Sequence, residues 1–144
     1  MQLTRVNRSV ADRLHSAAIR LLRRLRREDD AMGLTAARAS ALSVLVFRGP
    51  QSLGDLAAAE GVKPPTMSRL VKAMQAEGLV ESQVAEHDQR AVRIAPSAKG
   101  RRLMLRAREK RLAAIRELLR DASAEEKKAL ETVVGLLGRA LRKR

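Results

Sequence analysis

Five side chains between Pro65 and Lys72 have the types and spacing to meet a nucleic acid: Pro65, Thr66, Ser68, Arg69 and Lys72. Arginine can pair with guanine through two hydrogen bonds. Hydroxyls reach bases or phosphates, lysine neutralises a phosphate, and proline can pack on a thymine methyl. On a helix drawn at about 100° per residue from Pro65, the residues Met67, Leu70, Val71 and Met74 fall at roughly 140–240°, one apolar face. Ser68, Arg69, Lys72 and Pro65 fall at roughly 300–40° on the opposite face, with Thr66 bordering it near 100°. The free face carries no carboxylate before Glu77. A helix entering a DNA major groove needs such a face: small side chains, no negative charge, donors aimed outward. Arg69 is the candidate base contact; a phosphate contact, or an ion pair with Glu77 or Asp55, is its alternative. Lys72 is the candidate phosphate contact. An ordinary helical hairpin with a solvated basic face has the same pattern, so the flanking elements decide between them.

Other chemistries lack their residues. The chain has no cysteine and two histidines, His15 and His87. Disulfides, thiolate metal sites and thiol redox sensing are excluded, and a tight transition-metal site is not expected. No Ser–His–acid grouping, paired-carboxylate motif or glycine-rich phosphate loop stands in the sequence. The expectation is a protein that is not an enzyme and uses neither cofactor nor metal.

The elements that must position the five residues start at Ser52. Ser52-Leu53-Gly54-Asp55 fits a capping box opening a short helix. Gly61 supplies the positive φ of a tight turn, and Lys63-Pro64-Pro65 opens the second helix, where proline suits amides that have no intrahelical partner. Gly78 closes it. Leu79–Val84 and Ala91–Ile94 then read as short strands around the polar turn Ala85-Glu86-His87-Asp88-Gln89-Arg90. A hairpin directly after the second helix is a wing. Upstream, Ser9 caps a helix with Val10, Leu14, Ala17, Ala18, Leu21 and Leu25 on one face. Thr35 caps the next, which turns Leu42, Leu45 and Val46 inward and stops at Arg48-Gly49-Pro50. Downstream, Ser97 caps a long helix to about Arg120, with Leu105, Leu112, Ile115 and Leu119 apolar. Ser123 opens a last helix carrying Leu130, Val133, Val134, Leu137 and Leu141.

The fold class expected is therefore mainly α with a small β-hairpin wing: a winged helix-turn-helix in a single domain, residues 1–144. Residues of about 35–96 form the DNA-binding lobe. Those of about 5–30 and 98–144 form a helical dimerisation region. The terminal helices expose apolar faces that the small central unit cannot cover, so Leu14, Leu21, Leu112, Ile115, Leu119, Leu130, Val134, Leu137 and Leu141 are the expected contacts of a two-fold homodimer.

The chain of 144 residues carries a formal net charge of +14. A field of that sign attracts polyanions, with nucleic acid before an anionic membrane surface. The basic residues crowd the flanking helices: Arg20, Arg23, Arg24 and Arg27 on the first, and Arg101, Arg102, Arg106, Arg108, Lys110 and Arg111 on the fifth. Most of these read as a solvated face that raises encounter rate. Phe47 is the one aromatic residue, so the core is Leu, Val, Ala, Ile and Met. No run approaches a membrane span, and the N-terminal stretch has no apolar secretion core, so a cytoplasmic protein is expected.

Taken in order, Gly33-Leu34-Thr35, Leu53-Gly54-Asp55-Leu56-Ala57, Thr66-Met67-Ser68-Arg69-Leu70-Val71, Glu77-Gly78-Leu79-Val80, Asp88-Gln89-Arg90 and Ser97-Ala98-Lys99-Gly100 resemble the MarR family of bacterial transcriptional regulators. The resemblance runs from about Ser9 to Leu141. It implies dimers that bind pseudo-palindromic operators in double-stranded DNA, mostly as repressors, and that often release them when a small molecule binds. It also implies that Arg90 is the wing arginine entering the minor groove, oriented by Asp88. Pro96-Ser97 departs from the family's usual Leu-Thr, and the second strand is expected to end a residue early there. The oxidant sensing through cysteine that some members use is closed to this chain, which leaves a small organic effector, anionic or aliphatic, in a cleft where the first, second and fifth helices meet the DNA-binding lobe. No residue of the sequence is assigned to that cleft. A non-sequence-specific architectural DNA-binding protein and a helical protein-binding adaptor are the competing functions.

Overall fold

The computed structural model describes residues 9–85 and 88–142, with the backbone alone at residue 85 and residues 88–91. In order, the elements are α1 (Val10–Ala31), α2 (Ala36–Arg48), α3 (Leu53–Glu60), α4 (Pro64–Ala76), β1 (Val80–Ala85), β2 (Asp88–Pro96), α5 (Ala98–Leu118) and α6 (Ala124–Arg142). The chain divides into two compact units, Met1–Arg111 and Leu112–Arg144.

The helix boundaries follow local chemistry. The hydroxyls of Ser9, Thr35 and Ser52 accept from the amides of Asp12, Arg38 and Asp55, as N-caps do. Ser123 and Glu126 make a reciprocal capping box at α6, with bonds of 2.8 and 3.1 Å. At the other ends, Gly33, Gly61 and Gly78 hold positive φ of 71°, 65° and 73°, the left-handed conformation that lets the next amides turn back onto the last carbonyls.

In the first unit, Leu34, Leu42, Leu45, Leu56, Met67, Met74 and Met104 are fully buried. Leu34 lies in the turn before α2 and the others come from α2, α3, α4 and α5, so the core lies beneath the helix-turn-helix. The antiparallel hairpin closes one side, with Val80 opposite Pro96 and Ser82 opposite Ile94. Its base is buried through Val80 and Ile94, while Val84 and Val92 are exposed further out. Gln51 adds a short bridge, exchanging two backbone bonds with Ile94 at 3.0 and 2.7 Å.

The hairpin departs from expectation at both ends of β2. The strand begins at Asp88, inside the stretch read as a turn. Pairing of Asp88 with Ala85, past a register shift between Val84 and Ala85, carries the strand across the polar run Asp88-Gln89-Arg90. The strand also runs through Pro96 instead of ending early. Pro96 pairs with Val80 at the last rung, where a missing N–H costs little, and the Ser97 amide carries on to the Leu79 carbonyl at 3.0 Å.

In the second unit, Leu112, Ile115, Leu119 and Leu137 are half-buried and Ala114 is buried. No residue of α6 is buried.

Candidate nucleic-acid interface

The helix-turn-helix is α3, the turn at Gly61 and α4. The Gly61 and Val62 amides bond the Ala58 and Ala57 carbonyls, which ends α3 and turns the chain sharply into Lys63. Ala57 is buried, the small side chain needed where the two helices approach. Lys63 stands at the N-cap of α4 without a side-chain cap bond, Pro64 and Pro65 follow, and the first turn holds no acid. The prolines carry no N–H, and the Thr66 and Met67 amides donate to the Lys63 carbonyl at 3.0 and 3.1 Å, so the amino end of α4 is a positive pole through its dipole and Lys63 and not through open amides.

Along α4, Met67, Val71 and Met74 are buried and Leu70 packs beside them. Pro65, Thr66, Arg69 and Lys72 are exposed, and Ser68 is half-buried. The structure therefore gathers all five α4 candidates on the outer side of one helix. Glu77 does not pair with Arg69; it pairs with Arg38 of α2 at 2.6 Å. Among the described residues Arg69 has no acidic partner, and its guanidinium is free to reach outward.

Between α4 and the hairpin lies a cleft of about 270 Å³. Val71, Val92 and Ile94 line it on the apolar side, and Ser68, Lys72, Gln75 and Ser82 on the polar side. The Gln75 amide donates to the Ser82 hydroxyl at 2.9 Å, tying the hairpin to α4. The backbones of Asp88 and Arg90 lie in β2; their side chains, like His87 as a whole, lie outside the described residues.

A second cleft, of about 420 Å³, opens between α1, α2 and α5. Leu22, Leu25, Ala36 and Ala39 form its apolar wall, and Ser40, Ser43 and Arg26 its polar side. Asp29 and Arg111 close one end. Asp29 is 5% exposed and accepts two bonds from Arg111, at 3.2 and 3.3 Å. Nothing in the sequence singled out this pair. Arg111, one of the arginines of the basic flank, stands apart from their solvated face, because the buried carboxylate draws it inward. The only available signal was an acid at the end of an amphipathic helix, which is equally common on surfaces. Arg24 pairs with Glu28 along α1, and Arg108 stands over the exposed Phe47 ring at 5.9 Å. Arg20, Arg23, Arg27, Arg101, Arg102, Arg106 and Lys110 are exposed.

Of the apolar residues expected at a dimer contact, Leu14, Leu21, Leu130, Val134 and Leu141 are exposed, and Leu112, Ile115, Leu119 and Leu137 are half-buried. His15 is exposed on α1. No three His, Cys, Asp or Glu side chains among the described residues stand close enough to share a metal ion. No single helix among them is long and apolar enough to cross a membrane.

Residues 32–91, from the end of α1 to the second strand, match the family model described as MarR family. An HTH-type transcriptional regulator of Mycobacterium tuberculosis, MT0903.1, is 30% identical over 128 residues, covering 89% of this chain and 90% of the relative. The chain belongs to the MarR family. A MarR family protein from Bacillus stearothermophilus shares the fold with a TM-score of 0.82 and 28% identity, covering 90% of this chain and 91% of that one. RV1404 from Mycobacterium tuberculosis superposes with a TM-score of 0.84 at 20% identity, covering 94% and 93%. MarR family proteins are transcriptional regulators and not enzymes. This chain is accordingly a DNA-binding regulator with the MarR winged helix-turn-helix.

Proposed function

We propose that this MarR-family regulator is a homodimeric repressor that reads a pseudo-palindromic operator with α4 and releases it when a small organic anion binds. The observation that carries the reading is the outer side of α4. There Pro65, Thr66, Ser68, Arg69 and Lys72 stand without a carboxylate, behind an uncapped amino end. Arg69 contacts a base, Thr66, Ser68 and Lys72 contact bases or phosphates, and Pro65 packs on a thymine methyl. Arg90 enters the minor groove from the hairpin, with Asp88 supporting it.

The dimer follows from unsatisfied apolar surface. Leu14 and Leu21 on α1, and Leu130, Val134 and Leu141 on α6, are exposed in the single chain. A second copy burying them through a two-fold contact is the simplest cover. The terminal helices then serve dimerisation and residues of about 35–96 serve DNA reading, in the cytoplasm.

The α1–α2–α5 cleft suits the effector. Arg26 supplies a cation without a partner among the described residues, two serines supply hydroxyls, and no aromatic residue lines the cleft. A small carboxylate with an aliphatic body fits this lining better than a stacked flat ring. To shift the equilibrium it must bind better when the two reading helices are mis-spaced for successive major grooves, about 34 Å apart.

The test has two parts. Footprinting on duplex selected from a random pool should protect one palindrome; uniform protection would make the protein an architectural coat, and no protection would favour a protein-binding adaptor. The protein–operator complex is then titrated with small carboxylates and phenols, with divalent metals and with peroxide. Release by peroxide at non-denaturing concentration and by nothing organic would overturn the effector reading.

A further inference from the structure

We infer that Glu77 is a positioning residue for DNA reading, held at the carboxyl end of α4 by Arg38 of α2 and Lys99 of α5 so that α4 keeps one angle of entry. The inference rests on the reading of α4 as the helix that enters the groove.

The two ends of α4 are held differently. At the carboxyl end, the Glu77 carboxylate meets the Arg38 guanidinium at 2.6 Å. The Lys99 ammonium donates to the Glu77 carbonyl at 2.8 Å. The Ser97 hydroxyl donates to the next carbonyl, that of Gly78. Three directional contacts from two other helices thus converge on two residues. At the amino end, Lys63 makes no side-chain cap bond and Pro64, Pro65 and Thr66 are exposed.

Packing beneath α4 does not define its tilt by itself. Two of its three buried anchors are Met67 and Met74. Methionine is flexible and fills spaces of many shapes, and apolar contact has no preferred direction. A hydrogen bond, by contrast, is directional and weakens steeply as its angle closes, and the charge-assisted contact of Arg38 with Glu77 shares that directionality.

The lever arm is long. A helix of 13 residues is about 20 Å long, so a tilt of about 10° at its carboxyl end carries the amino end through about 3 Å. That displacement is about the rise of one base pair. The residues that would read bases, Pro65 to Arg69, sit at the moving end. Holding Glu77 therefore controls where they meet the groove, although Glu77 touches no DNA itself. Arg38 and Lys99 also belong to α2 and α5, two of the helices that line the α1–α2–α5 cleft. The same contacts tie those two helices to the end of α4.

As a source of stability the Arg38–Glu77 pair is minor. Its side chains are 24% and 43% exposed, and exposed pairs contribute little. Variants are expected to fold, which separates positioning from stability. The full chain and its Arg38→Gln, Glu77→Gln and Arg38→Glu/Glu77→Arg forms are compared on a duplex selected by the wild type. The same half-sites are also tested one base pair closer and one further apart. The readout is the ratio of affinity for the selected spacing over each altered spacing, with thermal melts alongside.

Both single variants should lower that ratio about fivefold, within the range of coupled neighbouring residues, with melts near the wild type. The charge-reversed pair should restore it; Arg38→Lys, which keeps the charge, is the second restoring variant. Unchanged ratios in either single variant overturn the inference, and so does failure of both restoring variants. A wild type that selects no duplex removes the reading of α4 and the inference with it. A wild type that selects a duplex, with variants that keep its spacing preference, overturns the inference alone.

Discussion

Gly100 of α5 lies against the Leu79 carbonyl so closely that no side chain fits between them. A Cβ there would overlap the carbonyl oxygen and stand 2.9 Å from its carbon. The same carbonyl accepts the Ser97 amide at 3.0 Å, and the Ser97 hydroxyl accepts the Gly100 amide at 3.0 Å. Glycine is needed here for close approach and not for backbone conformation, because its φ is not positive. The contact seats α5 on the chain leaving α4.

Gly100→Ala is accordingly expected to destabilise the protein by about 1–3 kcal/mol, as overpacking against backbone does. Gly54→Ala supplies the control. A Cβ at Gly54 meets nothing within 4 Å, and the change should raise stability by about 0.5–1 kcal/mol through helix preference. Chemical denaturation of both variants checks this; equal effects of the same sign would show that the Leu79 carbonyl yields.

Arg111→Leu should be more damaging than its mirror, Asp29→Asn. Removing the guanidinium leaves a carboxylate that is 5% exposed without its cation. Broken buried pairs cost about 3–5 kcal/mol, and the lower end applies because Arg111 is itself partly exposed. Asp29→Asn keeps an acceptor and leaves the arginine access to water. Denaturant midpoints for the two variants should rank in that order.

On a selected operator, Arg69→Ala should cost about 1–3 kcal/mol and relax preference at one base position. Lys72→Ala should weaken all sequences about equally and lower the salt slope by about 1. Affinities measured across a salt series and a panel of single-base variants separate the two. Loss without any change of preference in Arg69→Ala would reassign it to the phosphates.

Val134→Asp should turn the proposed dimer into a folded monomer. Val134 is 59% exposed in the single chain, so a carboxylate there is solvated in the monomer and desolvated only at an apolar contact. Sedimentation at micromolar concentration, with circular dichroism for helix content, reads both properties. A variant that stays dimeric would place the contact elsewhere.

Much of the fold was legible because its signals are local. Ser9, Thr35, Ser52 and Ser123 cap helices through bonds to amides three residues ahead, and Gly33, Gly61 and Gly78 end them through their own φ. Each signal needs only a few neighbouring residues. The outer side of α4 was legible for the same reason: once Met67, Val71 and Met74 face inward, helix geometry sends Arg69 and Lys72 outward.

The sequence by itself thus determined the order of the elements, the capped ends and which residues α4 presents. The tertiary structure alone decided partners distant along the chain. Asp29 and Arg111 are separated by 82 positions, and neither residue type distinguishes a buried pair from two solvated charges. The sequence offers Arg69, on the helix that leads to Glu77, as its partner, yet the crossing of α2 and α4 brings Arg38 to it. The polar run Asp88-Gln89-Arg90 reads as a turn, and the pairing of Asp88 with Ala85 across the hairpin brings it into the strand. Gly100 resembles any glycine early in a helix until the Leu79 carbonyl is placed beside it. In each case the deciding contact depends on how elements cross in space, which residue spacing within one element does not encode.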